Sequence, residues 1–342
     1  MSYQPQQPSE FELITRLTSG LASREDVRLG VGDDCAIMDI GGDQLLLATC
    51  DSQVEGVHFT LQTSRHEQVG RKALAVNLSD IAAMGGTPRF ALVSLLIPSH
   101  LSSEILAQIY AGLRQEAEHF ATAIVGGNIA SAGSGSSLTI DITVLGSVMR
   151  DCAITRSGAR PGDLLCVTGY LGDSAAGLFT LLHPEHTYSL AACDQVRRVH
   201  RTPHPRIAEG RILGQFGPQV ITAMLDVSDG LSGDLAHLCE RSRVGARVEL
   251  ARLPLSSAIH TIAHETGQDL WHWALHGGED YELLFTVAEG YEQQVMNAVQ
   301  AATGTPVTVI GSIVSVEEGM LLLLPDGREE RLSSRSWDHL RG

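Results

Sequence analysis

Lysine is almost missing from this chain: of its 24 basic residues only Lys72 is a lysine, and the net charge is −16. No GxxxxGK[ST] loop occurs, so the nucleotide chemistry built on a P-loop lysine is excluded. Lys72 sits in no glycine loop and reads as a helix-surface residue, with a phosphate contact as the alternative. The charge of −16 argues against a nucleic-acid or anionic-membrane surface, since either would need clustered lysine and arginine. No apolar run reaches membrane-spanning length, and MSYQPQQPSE carries neither the basic nor the apolar region of a signal peptide. The expected location is cytoplasmic. Cys35, Cys50, Cys152, Cys166, Cys193 and Cys239 form no CxxC pair. Neither a zinc site nor a disulfide framework is indicated.

Carboxylates are what the chain has instead. Three segments far apart place them at turns beside apolar runs: Gly30-Val31-Gly32-Asp33-Asp34, Asn77-Leu78-Ser79-Asp80 and Asp226-Val227-Ser228-Asp229-Gly230. Thr49-Cys50-Asp51 adds a fourth. Each alone reads as ordinary turn or helix-cap chemistry. Four together favour a site in which divalent cations sit between carboxylates and a polyanion. Mg²⁺ suits that task, because it takes hard oxygen ligands and bridges to phosphates.

The 342 residues, 43% of them hydrophobic, suggest two domains or one large one. Helix and strand signals alternate. Helices are expected over 11–18, 103–120, 174–182, 205–216, 233–242 and 291–302, and in a long segment that stops at Gly85-Gly86. Capping boxes are read at Ser9 with Glu12 and at Ser64 with Glu67. Strands are expected over 44–50, 90–97, 121–125, 138–148, 164–168, 221–225, 247–250, 281–287, 307–313 and 320–324. The fold class is mixed α/β. A boundary near 150–163 divides the chain into 1–150 and 151–342. TVLGSV at 143–148 recurs as TVIGSI at 308–313, which suggests related halves. GGNIASAGSGSS at 126–137 reads as a Gly/Ser loop, either a flexible hairpin or a backbone approach to a nucleotide.

GVGDDCAI, ATCDSQVEGVHF, KALAVNLSDIAAMGG, VGGN, TRSGARPGD, GYLGDSAAGL, DVSDGLSGDL and GGEDYELLF follow one another in this order. In these motifs the chain resembles the thiamine-monophosphate kinases, of the aminoimidazole-ribonucleotide synthetase-like ATP-binding superfamily, from Phe11 to Trp337. The resemblance implies a two-domain fold, with the sheet of the N-terminal ATP/Mg-binding domain joining a partner's in a dimeric barrel and a C-terminal α/β domain closing over nucleotide and substrate. It implies transfer of the γ-phosphate of ATP to thiamine monophosphate, giving thiamine diphosphate. Magnesium positions match Asp34, Thr49, Asp51, Asp80, Asp226 and Asp229. Nucleotide positions match Gly126, Gly127, Arg156, Ser228 and Tyr110, and acceptor positions match His58, Glu279 and Trp337. Asp51, Asp80 and Arg156 are the residues expected to act on the transferring group.

Two positions depart from the family. Asn128 stands where a magnesium-binding aspartate is usual, and Cys50 where threonine is usual. An amide carbonyl can still ligate Mg²⁺ at 128; at 50 the change is harmless if the ligand is the main-chain carbonyl, whereas if it is the hydroxyl a hard ligand has become a soft thiol, and both residues stay in the expected metal set. The acceptor phosphate has a second pKa near 6, so its oxygen is already an anionic nucleophile at neutral pH and needs no strong base. Catalysis then reduces to aligning two phosphates and neutralising the charge between them. Two other readings stay open: an ATP-dependent synthetase or ligase of the same superfamily acting on another acceptor, and a nucleotide-binding protein without turnover.

Overall fold

The structure is a computed structural model that describes residues 10–334 except Ser23 and Ser134. Among these residues the first half runs α1 (Glu10–Thr18), β1 (Val27–Leu29), β2 (Ala36–Met38), β3 (Gln44–Val54), α2 (His66–Ala83), β4 (Thr87–Ile97), α3 (Ser103–His119), β5 (Ala123–Ser131) and β6 (Thr139–Met149). A 3₁₀ turn leads into β7 (Leu164–Thr168), α4 (Asp173–Leu182), α5 (Leu190–Arg201), α6 (Ile207–Phe216), β8 (Ile221–Asp226), α7 (Leu231–Ser242) and β9 (Gly245–Glu249). The rest comprises α8 (Ser257–Thr266), α9 (Leu270–His276), β10 (Leu283–Val287), α10 (Glu292–Thr303), β11 (Val307–Val314), β12 (Met320–Leu323) and β13 (Glu329–Arg331).

The strands form two sheets, ordered β1-β2-β3-β6-β4-β5 and β13-β12-β9-β11-β7-β10-β8. Only β4 with β5 and β12 with β9 pair in parallel. The recurring TVLGSV and TVIGSI segments fall on β6 and β11, each held between two antiparallel neighbours. A register shift lies beside the glycine of each, Gly146 and Gly311. The two copies thus hold equivalent places in the two sheets.

Burial alternates along the first sheet. Leu45, Leu47, Ile140, Ile142, Val144, Val93 and Leu95 point to the core, while Cys50, Ser52, Phe90, Leu92 and Leu96 face the open side. Helix α2 covers the core side and is buried nearly all round, with Leu74, Leu78, Ile81 and Ala82 at or near zero exposure. A helix apolar on every face must be enclosed. Here α3, α6, β6 and β8 enclose it, and one apolar cluster runs from Leu47 and Ile142 through α2 to Met224 and Phe285 of the second sheet. The two sheets therefore share a core. Helices α4, α5, α8 and α9 bury a separate one around Val196, Ile259 and Trp273.

Several expectations need correction. Helix α2 begins one residue later than its expected cap: Gln68 Oε1 accepts from the Arg65 N–H at 2.9 Å, so Arg65 and Gln68 replace Ser64 and Glu67. The 126–137 segment is not a loop throughout, since β5 continues through both glycines to Ser131, paired with β4. At Gly127 a Cβ would lie 1.7 Å from the Val93 carbonyl oxygen, so glycine is what lets this strand approach so closely. The expected strand at 281–287 starts only at Leu283, because Tyr281 has φ 52°. Helices α5, α8 and α9 were not anticipated. The Ser9 cap lies outside the described residues.

Candidate functional site

Three elements deliver the central carboxylates. Asp34 comes from the turn between β1 and β2, Asp80 from the last turn of α2, and Asp226 from the end of β8. One oxygen from each lies within 4.8 Å of the others. Asp80 lies inside the long helix expected to stop at Gly85-Gly86, one turn before its end, rather than at a turn like Asp34. Thr49 and Asp51 lie on the α2 side of β3. The Thr49 hydroxyl donates to Asp80 Oδ2 at 2.5 Å, and the Asp51 N–H donates to the Asn77 side-chain oxygen at 3.1 Å. Ser79, one residue before Asp80, donates its hydroxyl to Asp226 Oδ2 at 2.5 Å and so ties α2 to the second sheet.

Arg156 is the cation of this cluster. Its Nη2 donates to Asp34 Oδ1 at 2.5 Å and its backbone N–H to Asp33 Oδ2 at 3.1 Å. The other oxygen of Asp34 is buried and has no hydrogen-bond partner. Burial, then the charge of Asp34, pushes the Asp33 carboxyl up to about 7 and the Asp226 carboxyl up to about 8. Asp80 is raised well above the ordinary value by burial and by the charges of Asp51 and Asp226. Asp234, on the first turn of α7, is raised by burial and by Asp229, whose N–H donates to it at 3.0 Å. Carboxylates this crowded and this dry either take up protons or take up a cation. An orphaned, hard oxygen among three converging carboxylates fits Mg²⁺.

These shifts set a pH dependence. An unfolded aspartate titrates near 3.9. The native chain holds protons on Asp33 and Asp226 that the unfolded chain has released between about pH 4 and pH 8, so metal-free stability falls as pH rises through that window. Mg²⁺ at about 100 times its Kd should add about 2.7 kcal/mol. Calorimetric melting in EDTA is expected to drop from pH 5 to pH 8, and Mg²⁺ to raise the melting temperature more at pH 8 than at pH 5, where protons compete. Melting curves indifferent to Mg²⁺ at pH 8 would contradict a cation site here.

A second constellation adjoins the first. The Asp226–Gly230 turn and the 278–281 turn are stitched together: the Glu279 N–H donates to the Ser228 carbonyl at 2.7 Å and the Tyr281 N–H to the Val227 carbonyl at 2.8 Å. Glu279 takes φ 66°, a left-handed conformation uncommon for a non-glycine residue. Its carboxylate is held by two partners and is about a quarter exposed. Lys72 Nζ lies 2.6 Å from Glu279 Oε1, and His200 Nδ1 lies 3.3 Å from Oε2. Lys72 is not a surface residue: its side chain is 4% exposed, and Nζ also donates to the His58 carbonyl at 3.3 Å. Burial opposes ionisation of Glu279; the Lys72 ammonium overcomes it and holds the carboxyl below its ordinary value. Burial and the Lys72 charge push His200 down to about 4, so its ring is neutral. His58 Nδ1 accepts from the Val54 N–H at 3.0 Å.

The remaining expected residues are dispersed. Gly126, Gly127 and Asn128 lie on β5, the edge strand of the first sheet. Asn128 pairs with Ser94, Ser94 with Asp141, and Asp141 with Ser52, so Asn128 shares their face of the sheet, opposite the Thr49 and Asp51 face. Cys50 is on that open face as well and is exposed. Tyr110 is half-buried on α3 and packs on the core. Trp337 lies outside the described residues. Asp33 belongs to the first acidic segment but carried no role of its own, and Ser79, Asp234, Lys72 and His200 were not among the expected site residues. Ser79 adjoins Asp80 and Asp234 closes the same motif as Asp229; nothing local marks His200.

A two-layer α/β chain whose second sheet continues the core of the first, with carboxylates gathered where they meet, defines a class. Residues 32–148 match the model for the N-terminal domain, and residues 160–322 that for the C-terminal domain, of AIR synthase-related proteins. The thiamine-monophosphate kinase of Bacillus subtilis (strain 168) is 35% identical over 97% of this chain and 99% of its own length. That of Escherichia coli (strain K12) is 37% identical over 96% and 98%. AaThiL, solved in complex with AMPPCP and TMP, superposes with a TM-score of 0.84 at 32% identity, covering 99% of both chains. The chain belongs to the AIR synthase-related proteins and, among them, to the thiamine-monophosphate kinase family.

Proposed function

We propose that this protein transfers the γ-phosphoryl group of ATP directly to thiamine monophosphate, producing ADP and thiamine diphosphate. The observation that carries this reading is the convergence of Asp34, Asp80 and Asp226 beside Arg156, in a chain so similar to AaThiL with AMPPCP and TMP. Asp34, Asp80 and Asp226, with Thr49, Asp51 and Asp229 around them, are the residues that would hold Mg²⁺. When bound, the ions supply charge neutralisation between donor and acceptor phosphates. An oxygen of the acceptor phosphate attacks the γ-phosphorus, and the bond from the γ-phosphorus to the bridging oxygen of ADP breaks in line. Arg156, held by Asp33 and Asp34, is placed to turn its guanidinium onto a phosphate. Glu279, kept ionised by Lys72, offers an anion to the cationic thiazolium ring, and His58 Nε2 a donor to a phosphate oxygen.

Incubating the protein with ATP, Mg²⁺ and thiamine monophosphate should yield thiamine diphosphate by chromatography, in step with ADP. ADP formation that needs a different co-substrate would favour a synthetase. No ADP with any acceptor would favour a binding protein.

We also propose a homodimer joined through the open face of the first sheet. Phe90, Leu92 and Leu96 are 48%, 41% and 38% exposed on β4, beside the edge strand β5. An apolar face beside an unpaired strand edge is an association surface. Leu92→Glu is expected to give a monomer by light scattering, with the melting temperature of the separated chain otherwise little changed. A Leu92→Glu protein that stays dimeric would exclude this face.

A further inference from the structure

The four arginines Arg65, Arg197, Arg198 and Arg201 line one cleft of about 250 Å³, together with Gln68 and Asp194. Asp194, Arg197, Arg198 and Arg201 recur at the spacing that puts them on one face of α5, and Arg65 precedes the first residue of α2. In a chain of charge −16 such a gathering runs against the overall balance. None of the four arginines makes an ion pair within the described residues, although Arg156 and Arg206 do so elsewhere. Arg197 spends its guanidinium on the Thr180 hydroxyl and carbonyl, at 2.9 and 2.7 Å. The Nε of Arg201 is buried with no partner. Burial, Arg197 and Arg65 together lower the Arg201 pKa. Like charges held together and a donor left unmet both cost stability unless an anion completes them.

We propose that this cleft is an anion site that takes a diphosphate group. Four guanidiniums and the single Asp194 carboxylate leave an excess of three positive charges. A lone phosphate group brings roughly 1.5–2 negative charges at pH 7 and leaves part of that excess unmatched. A diphosphate matches it more closely. The volume admits such a group but falls below the roughly 300–1,000 Å³ of sites that enclose a whole drug-sized ligand. Planar, forked guanidiniums suit phosphate oxygens in pairs. The cleft is separate from the carboxylate cluster and does not depend on the proposed kinase reaction. It lies one helical turn from Lys72 through Gln68 on α2, and shares α5 with His200.

Titration calorimetry with inorganic pyrophosphate in EDTA tests it, because without metal the carboxylate cluster repels the anion. Saturable binding of one pyrophosphate per chain is expected, weaker for inorganic phosphate and weakening steeply with salt. Arg198→Ala with Arg201→Ala should reduce the affinity at least tenfold. Since Arg201 is partly buried, the exposed pair Arg65→Ala and Arg198→Ala provides a second variant, expected to melt like the parent chain and still lose about tenfold. Asp226→Asn should bind pyrophosphate as the parent does. No saturable binding at millimolar pyrophosphate, unchanged affinity in the Arg65/Arg198 variant, or loss of binding in Asp226→Asn would overturn the proposal.

Discussion

Asp80→Asn is expected to lose roughly 10²–10⁴ in turnover of thiamine monophosphate while melting, without Mg²⁺, no lower than the parent protein. A bound metal stabilises developing charge by several kcal/mol, and each 1.36 kcal/mol is a factor of ten in rate. Asparagine keeps the shape and can still accept from the Thr49 hydroxyl. What it removes is one of three carboxylates whose oxygens lie within 4.8 Å. Their repulsion destabilises the metal-free fold, so the stability and the activity should move in opposite directions. A helix-surface carboxylate would show neither effect. Near-parental turnover at ordinary Mg²⁺ would remove Asp80 from the site.

Lys72→Met should act on the other constellation, and on stability first. Removing one member of a buried pair leaves the other charge uncompensated, at about 3–5 kcal/mol. Glu279 keeps a quarter of its side chain in contact with solvent, which places this case at the lower end of that range. Differential scanning calorimetry should read a fall of several degrees. Kinetics should show a rise in KM for thiamine monophosphate larger than that for ATP, because Glu279 loses the cation that keeps it ionised. The acid limb of kcat/KM for the acceptor should shift to higher pH in the variant. Equal losses for both substrates, with an unmoved pH profile, would reduce Lys72 to a packing role.

The acidic turns were legible because aspartate beside glycine at the end of an apolar run is a local signal. Asp34, Asp80 and Asp226 do converge. Asn77-Leu78-Ser79-Asp80 falls inside the long helix expected to stop at Gly85-Gly86, and α2 does end just before those glycines. Helix α5 was missed because its apolar positions, Ala192, Cys193 and Val196, are few and set among charges; they count only once α4 and α8 supply a surface for them. Strand β5 runs through Gly126 and Gly127 because pairing with β4 overrides the poor strand propensity of glycine. Lys72 was misplaced for another reason. Its partner is Glu279, some two hundred residues away, and no local pattern encodes that meeting.

That buried ammonium has a practical consequence. Acylating reagents such as succinimidyl esters attack only unprotonated, accessible amines, and apart from the amino terminus this chain holds a single one, 4% exposed. Side-chain modification can therefore occur only in molecules whose α2 has parted from the 278–281 turn. The extent of acylation, read by intact mass, counts openings of that contact directly. Substrates or ions that close it should slow the labelling in proportion.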